Sequence, residues 1–203
     1  IYDLFVDLWG DEKLWVTIDR ANVNIPVRND WDFPGFLHWD IDVTYRPMPN
    51  NIQGVLSLNN NSKNSGGLQI IPDLFIQLEE WLKKKPKGWN ESADGRHHYS
   101  KYFSEFDVLN LESNAGDLAI WDSRMVHGTS PNKSDYPRFA QYISMVPAEP
   151  GQDELLKIRL ESFKNRRGPE GCGMPGDGRE LTFGLPSKLT KHGKRLLGEM
   201  LWS

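Results

Sequence analysis

Sulfur chemistry is almost missing from this chain. Cys172 is the only cysteine in 203 residues, which excludes an internal disulfide and any cysteine-based zinc cluster. Any bound metal must therefore be held by histidines and carboxylates, and a reducing, intracellular setting fits. A strong charge of either sign is missing too. The formal net charge is -4, with basic residues spread along the chain except at Lys83 to Lys85 and near the C-terminus, so there is no electrostatic footprint for nucleic acid. No apolar run approaches the length of a membrane span, and the opening "IYDLFVDLWGDEKLW" is acidic and amphipathic where a signal peptide is basic and then apolar. These absences leave a soluble protein whose partner is a small molecule; the oligomeric state is not legible. Because the text opens at Ile1 in mid-element, the native N-terminus is expected upstream.

What is present reads as one domain over residues 1–203, with a core from about 14 to 146 and a helical and loop extension from 151 to 203. Period-two alternation marks "LWVTI" (Leu14 to Ile18) and "IQGVLSL" (Ile52 to Leu58) as strands, and the short run "LQII" follows the polar loop "NNNSKNSGG". "GDLAIWD" and the nine-residue "RFAQYISMV" are two more, flanking "SRMVHGTSPNKSDYP". The spacing predicts one helix over Asp73 to Lys85, with Leu74, Leu78, Trp81 and Leu82 on a buried stripe, Asp73 as N-cap, three lysines at the C-terminal end, and Pro86 and Gly88 as the stop. Residues from Trp89 to Tyr102 have no period and read as loop, as does "GPEGCGMPGDG". A helix is expected in "DELLKIRLESFKNRR" on Leu155, Ile158 and Leu160, and another near "SKLTKHGKRLLGEMLW", docked through Leu196, Leu197, Met200 and Leu201. Short strands with few helices between them argue for an antiparallel sandwich or barrel.

Chemistry concentrates in "LHWDID" at Leu37 to Asp42. On a strand His38 and Asp40 share one face and Trp39 takes the other, so two polar groups need a common partner. Of five histidines, His127 follows a strand and is the one a sheet can hold rigidly, whereas His97 and His98 lie in a loop and His192 in the charged tail. Two imidazoles and one carboxylate leave coordination positions open, which suits non-haem iron(II). Zinc accepts the same donors but then usually works with a separate general base. Arg138, eleven residues past His127, has the planar cation that clamps a carboxylate in two hydrogen bonds, and Thr129 stands where a hydroxyl joins it. Taken singly, each of these residues also has a structural reading: a satisfied polar pair, a turn histidine, an internal ion pair. Most tryptophans read as core, and Arg20, Asn22 and Asn24 read as solvated loop residues.

The blocks "LHWDID", "QGVLSLNN", "SGGLQIIP" and "GDLAIWDSRMVHGTSPNKSDYPRFAQYISM", roughly residues 37 to 146, resemble the phytanoyl-CoA dioxygenase family of Fe(II)- and 2-oxoglutarate-dependent oxygenases. That resemblance implies a mainly β protein with a double-stranded β-helix (jelly-roll, cupin-like) core and flanking helices. It implies His38, Asp40 and His127 as iron ligands, and Arg138 with Thr129 on the distal carboxylate of 2-oxoglutarate. Gln53 would touch the cosubstrate or substrate, and O2 would be consumed in hydroxylating a C–H bond. Asp40 stands where halogenating members have lost their acidic ligand. Where many members read "PGSH", this chain reads "PDLF", and its stretch after Val146 matches less well; both bear on the substrate. A metal-free jelly-roll binding module and a zinc hydrolase on the same three ligands are the alternatives.

Overall fold

A computed structural model describes residues 1–85, 102–166 and 187–202. The loop readings around His97 and His98 and around Cys172, and the helix stop at Pro86 and Gly88, lie outside those residues. In chain order the elements are α1 (Tyr2–Trp9), β1 (Leu14–Val16), β2 (Ala21–Asn24), β3 (Phe36–His38), β4 (Ile52–Ser57), β5 (Leu68–Ile70), α2 (Pro72–Ile76), α3 (Leu78–Lys84), β6 (Leu109–Asn110), β7 (Leu118–Asp122), β8 (His127–Thr129), β9 (Arg138–Tyr142), β10 (Met145–Pro147), α4 (Asp153–Asn165) and α5 (Lys191–Leu197). They fall into two compact units, Ala21–Gln141 and the pair of segments Ile1–Arg20 and Tyr142–Ser203.

The central unit is built on two four-stranded sheets, ordered β2-β9-β4-β7 and β3-β8-β5-β6. Alternation along each strand decides what faces the barrel interior. In the first sheet Gln53 pairs with Trp121 and Val55 with Ala119 across β4 and β7, while Asn24 pairs with Arg138 and Asn22 with Ala140 across β2 and β9. In the second sheet His38 sits directly opposite His127, and Phe36 opposite Thr129. Gly128 lies between the two β8 side chains because a Cβ there would stand 1.8 Å from the Phe36 carbonyl oxygen, so only glycine permits β3 and β8 to close.

The opposite face of β3 looks into an apolar cluster in which Leu37 and Trp39 pack with Leu74, Leu78, Trp81, Leu82 and Phe103. The expected stripe is therefore buried, but on two helices. Gln77 breaks the run at φ -99°, ψ 10°, and its N–H is shared between the Asp73 and Phe75 carbonyls. Asp73 does not cap: Pro72 occupies the first turn after Ile71, and the carboxylate lies within that turn. The lysine end holds as expected, with Lys85 Nζ donating to the Leu82 carbonyl at 2.9 Å.

Two further expectations need correction. "RFAQYISMV" is two strands in different sheets, β9 in the barrel and β10 paired with β1. Residues Arg20 to Asn24, read as loop, contain edge strand β2, whose one aliphatic side chain beyond Ala21, Val23, is exposed.

In the second unit α4 leaves Leu155 and Ile158 exposed and Leu160 half-buried, and Arg159 is buried instead. Its guanidinium donates to the carbonyls of Val16, Leu196 and Leu197 at 2.7, 2.9 and 3.2 Å and lies over the Trp15 ring. Burial pulls its pKa down to about 10, and the three carbonyls satisfy the cation. α5 starts at Thr190, whose hydroxyl accepts from the Gly193 N–H at 3.0 Å. It docks through Leu197, while Met200 and Leu201 are exposed, contrary to the expected four-residue contact.

Candidate metal centre

β3 ends at His38 and the chain bends at Asp40, so the pair is not carried on one continuous strand. The bend nonetheless turns the carboxylate back: His38 Nε2 lies 3.0 Å from Asp40 Oδ1, and His127 Nε2 lies 3.4 Å from Asp40 Oδ2. Ligand atoms of His38, Asp40 and His127 all fall within 4.8 Å of one another. Trp39 anchors the bend from the other side, buried in the core with its indole N–H donating to the Arg124 carbonyl at 2.7 Å.

The tautomer of His127 follows from its neighbour. Its Nδ1 is 3.0 Å from the Met125 carbonyl oxygen, an acceptor only, so Nδ1 carries a hydrogen and Nε2 is the ring nitrogen that faces the carboxylate. His38 Nδ1 is buried with no hydrogen-bond partner. Burial raises the Asp40 carboxyl, but the hydrogen bonds and proximity of His127 and His38 outweigh it and hold Asp40 well below the usual carboxylate range. A buried imidazole oriented by a backbone carbonyl, a second imidazole and an ionised carboxylate make a donor set that fits a divalent transition metal.

Around these three, Phe36 packs on His38 and Trp121 on His127, both with ring centroids 4.9 Å apart. Gln53 Nε2 donates to Asp40 Oδ2 at 2.5 Å, and Gln53 Oε1 accepts from Trp121 Nε1 at 3.1 Å. The sequence offers Trp121 only the core reading that covers most of the tryptophans and gives no sign of this bond, which joins residues 68 apart in the chain.

Arg138 is 3% exposed and helps line a cavity of about 330 Å³ with Val55, Ser57, Leu68, Ser113 and Ala119 among its walls. Its Nη1 donates to Asn22 Oδ1 at 3.3 Å, so β2 supplies a partner that the sequence reading had assigned to solvent. The hydroxyls of Ser57 and Ser113 lie 2.7 Å apart in the same wall. Thr129 is buried on the face it shares with His127, and its backbone carbonyl accepts from Gln69 Nε2 at 3.3 Å. Asn24, also read as solvated, is buried and donates to the Gly66 and Ser130 carbonyls, both at 3.1 Å.

Two four-stranded antiparallel sheets that bring a His-x-Asp pair beside a distant histidine define the double-stranded β-helix class. The phytanoyl-CoA dioxygenase (PhyH) family model matches residues 34–140, and the chain belongs to that family. It is 31% identical over 205 aligned residues to a phytanoyl-CoA dioxygenase-like protein of Dictyostelium discoideum, with 82% of this chain and 55% of the relative aligned. It is 27% identical over 178 residues to Ava biosynthesis cluster protein O of Aspergillus versicolor, covering 81% of this chain and 57% of the relative. The chain thus spans little more than half the length of these curated relatives. Among solved structures, the epimerase SnoN in complex with Fe3+, alpha-ketoglutarate and nogalamycin RO shares the fold, with a TM-score of 0.54 at 16% identity over 87% of this chain and 68% of that one.

Proposed function

We propose that this chain carries the catalytic core of an Fe(II)- and 2-oxoglutarate-dependent dioxygenase that oxidises, and specifically hydroxylates, a C–H bond of a small organic molecule with release of succinate and CO2. The observation that carries the reading is the convergence of His38, Asp40 and His127 on one point, in the barrel that also holds the buried guanidinium of Arg138. Family membership and a structural relative solved with iron and alpha-ketoglutarate support it.

In this reading His38, Asp40 and His127 hold the iron. Three protein donors leave positions for the 2-oxo acid end of the cosubstrate and for O2. Arg138 takes the distal carboxylate as a bidentate cation, with Thr129 as the hydroxyl donor. Bound iron and 2-oxoglutarate supply the redox chemistry: O2 is reduced as the 2-oxo acid loses CO2 and becomes succinate, and the second oxygen atom goes to the substrate carbon. The protein's share is to position these groups and exclude water, which the aromatic rings of Phe36 and Trp121 beside the imidazoles favour. A zinc hydrolase on the same donors needs a general base, and among the described residues the side chains packed on or bonded to the three, Phe36, Gln53 and Trp121, have no basic atom.

The test is Fe(II)-dependent release of CO2 from 2-oxoglutarate by wild type and His127→Ala. The variant is expected to lose the activity by at least a hundredfold. Equal release by the two proteins would sink the ligand assignment.

A further inference from the structure

We propose that Gln53 and Trp121 form a positioning relay that fixes the orientation of the Asp40 carboxylate at the metal site. The inference rests on the reading of His38, Asp40 and His127 as a metal site and assigns to Gln53 a role through Asp40.

The indole N–H of Trp121 can only donate, so the group facing it across 3.1 Å must be the carbonyl oxygen of the Gln53 amide. That orientation turns the amide NH2 toward Asp40 Oδ2, an acceptor, at 2.5 Å. The flipped amide would oppose donor to donor at Trp121 and acceptor to acceptor at Asp40. Both ends of Gln53 therefore agree on one arrangement, and the indole sets it. The relay is rigid because Gln53 and Trp121 are directly opposed on β4 and β7, and the Trp121 ring is packed on His127.

Asp40 Oδ2 accepts from the Gln53 amide, while Oδ1 stands 3.0 Å from His38 Nε2, so the amide fixes the rotation of a carboxylate that follows β3 across a bend. The relay thus presents Asp40 to His38 and His127 in one orientation.

Co(II) serves as the probe, its binding followed by visible d–d absorption. Wild type, Gln53→Met, Trp121→Phe and the double variant are titrated with Co(II), with thermal melts to confirm folding. Gln53→Met keeps the side-chain length without a donor; it is expected to weaken Co(II) binding about tenfold or more. Trp121→Phe keeps an aromatic ring against His127 but loses the N–H. It should weaken binding by less, and should add nothing in the Gln53→Met background, since the indole acts only through the amide. Independent, additive losses would overturn the relay, as would wild-type affinity in either folded single variant. If Gln53→Met does not fold, Trp121→Phe alone decides. Wild type that binds no Co(II) would overturn the metal site itself, an outcome distinct from a wild type that binds while its variants are unchanged.

Discussion

Arg138 is 3% exposed and lines the 330 Å³ cavity, so a dicarboxylate entering there would meet a guanidinium shaped to take it in two hydrogen bonds. Arg138→Ala should therefore raise the 2-oxoglutarate concentration needed for half-maximal turnover by at least tenfold, with Co(II) or Fe(II) affinity within about twofold of wild type, the size of a lost charge-assisted contact. An unchanged requirement would place the cosubstrate carboxylate elsewhere. At this scale the sequence was most legible for residues marked by chemical type: His38, Asp40 and His127 stand out because few other side chains supply metal donors, and the structure brings the three together. It was least legible where the role comes from a distant partner. Asn22 looked like a loop amide, yet it accepts from a guanidinium 116 residues away. Trp121 looked like core because no local pattern marks an indole N–H paired 68 residues back. Arg159 was invisible for the converse reason, since a helical arginine is normally a surface residue.

Among the elements, the β8 strand carries the second imidazole of the cluster, His127. Gly128 is fixed by the 1.8 Å approach its Cβ would make to Phe36. Gly128→Ala is expected to force β3 and β8 apart at a cost of about 3 kcal/mol or more, separating His38 from His127. Chemical denaturation would show the loss, and a wild-type midpoint would contradict the close pairing. The preceding turn is tied by Asp122, whose Oδ1 accepts from Arg124 N and Nε, both at 2.8 Å, and whose Oδ2 accepts from Arg124 Nη2. Burial raises the Asp122 carboxyl, and the Arg124 hydrogen bonds and charge lower it further than burial raises it, so its folded pKa lies below the unfolded value. A carboxylate shifted down contributes its stability in full above the unfolded pKa of about 4 and loses it as pH falls through the lower folded value. The pair is partly exposed, so the size is about 1 kcal/mol or less. Urea midpoints at pH 7 and pH 3 should converge for wild type and Asp122→Asn at the acid end; a constant gap would refute the linkage. Element existence was legible where alternation or a stripe was strong, as in β4, β7 and the α2 and α3 pair. Boundaries were not: the split of β9 from β10 is imposed by the different sheets they join, and the break at Gln77 lies inside an unbroken apolar stripe.

For the molecule as a whole, the two four-stranded sheets place β3 beside β8 and β4 beside β7, bringing together the side chains of residues 38, 40 and 127 and the hydrogen-bonded pair Gln53 and Trp121. The antiparallel β class followed from short strands and turn signals; the double-stranded β-helix followed from the block resemblance, and the family match over residues 34–140 agrees. Among the described residues no helix is long and apolar enough to cross a membrane. The central claim is that His38, Asp40 and His127 bind iron(II) and that 2-oxoglutarate binds on it. Anaerobic titration of the purified protein with Fe(II) and then 2-oxoglutarate tests this directly. A weak visible charge-transfer band is expected on adding the 2-oxo acid to wild type, with none in Asp40→Ala. Folded wild-type protein that gives no band, or an Asp40→Ala variant that gives the same band as wild type, would contradict it.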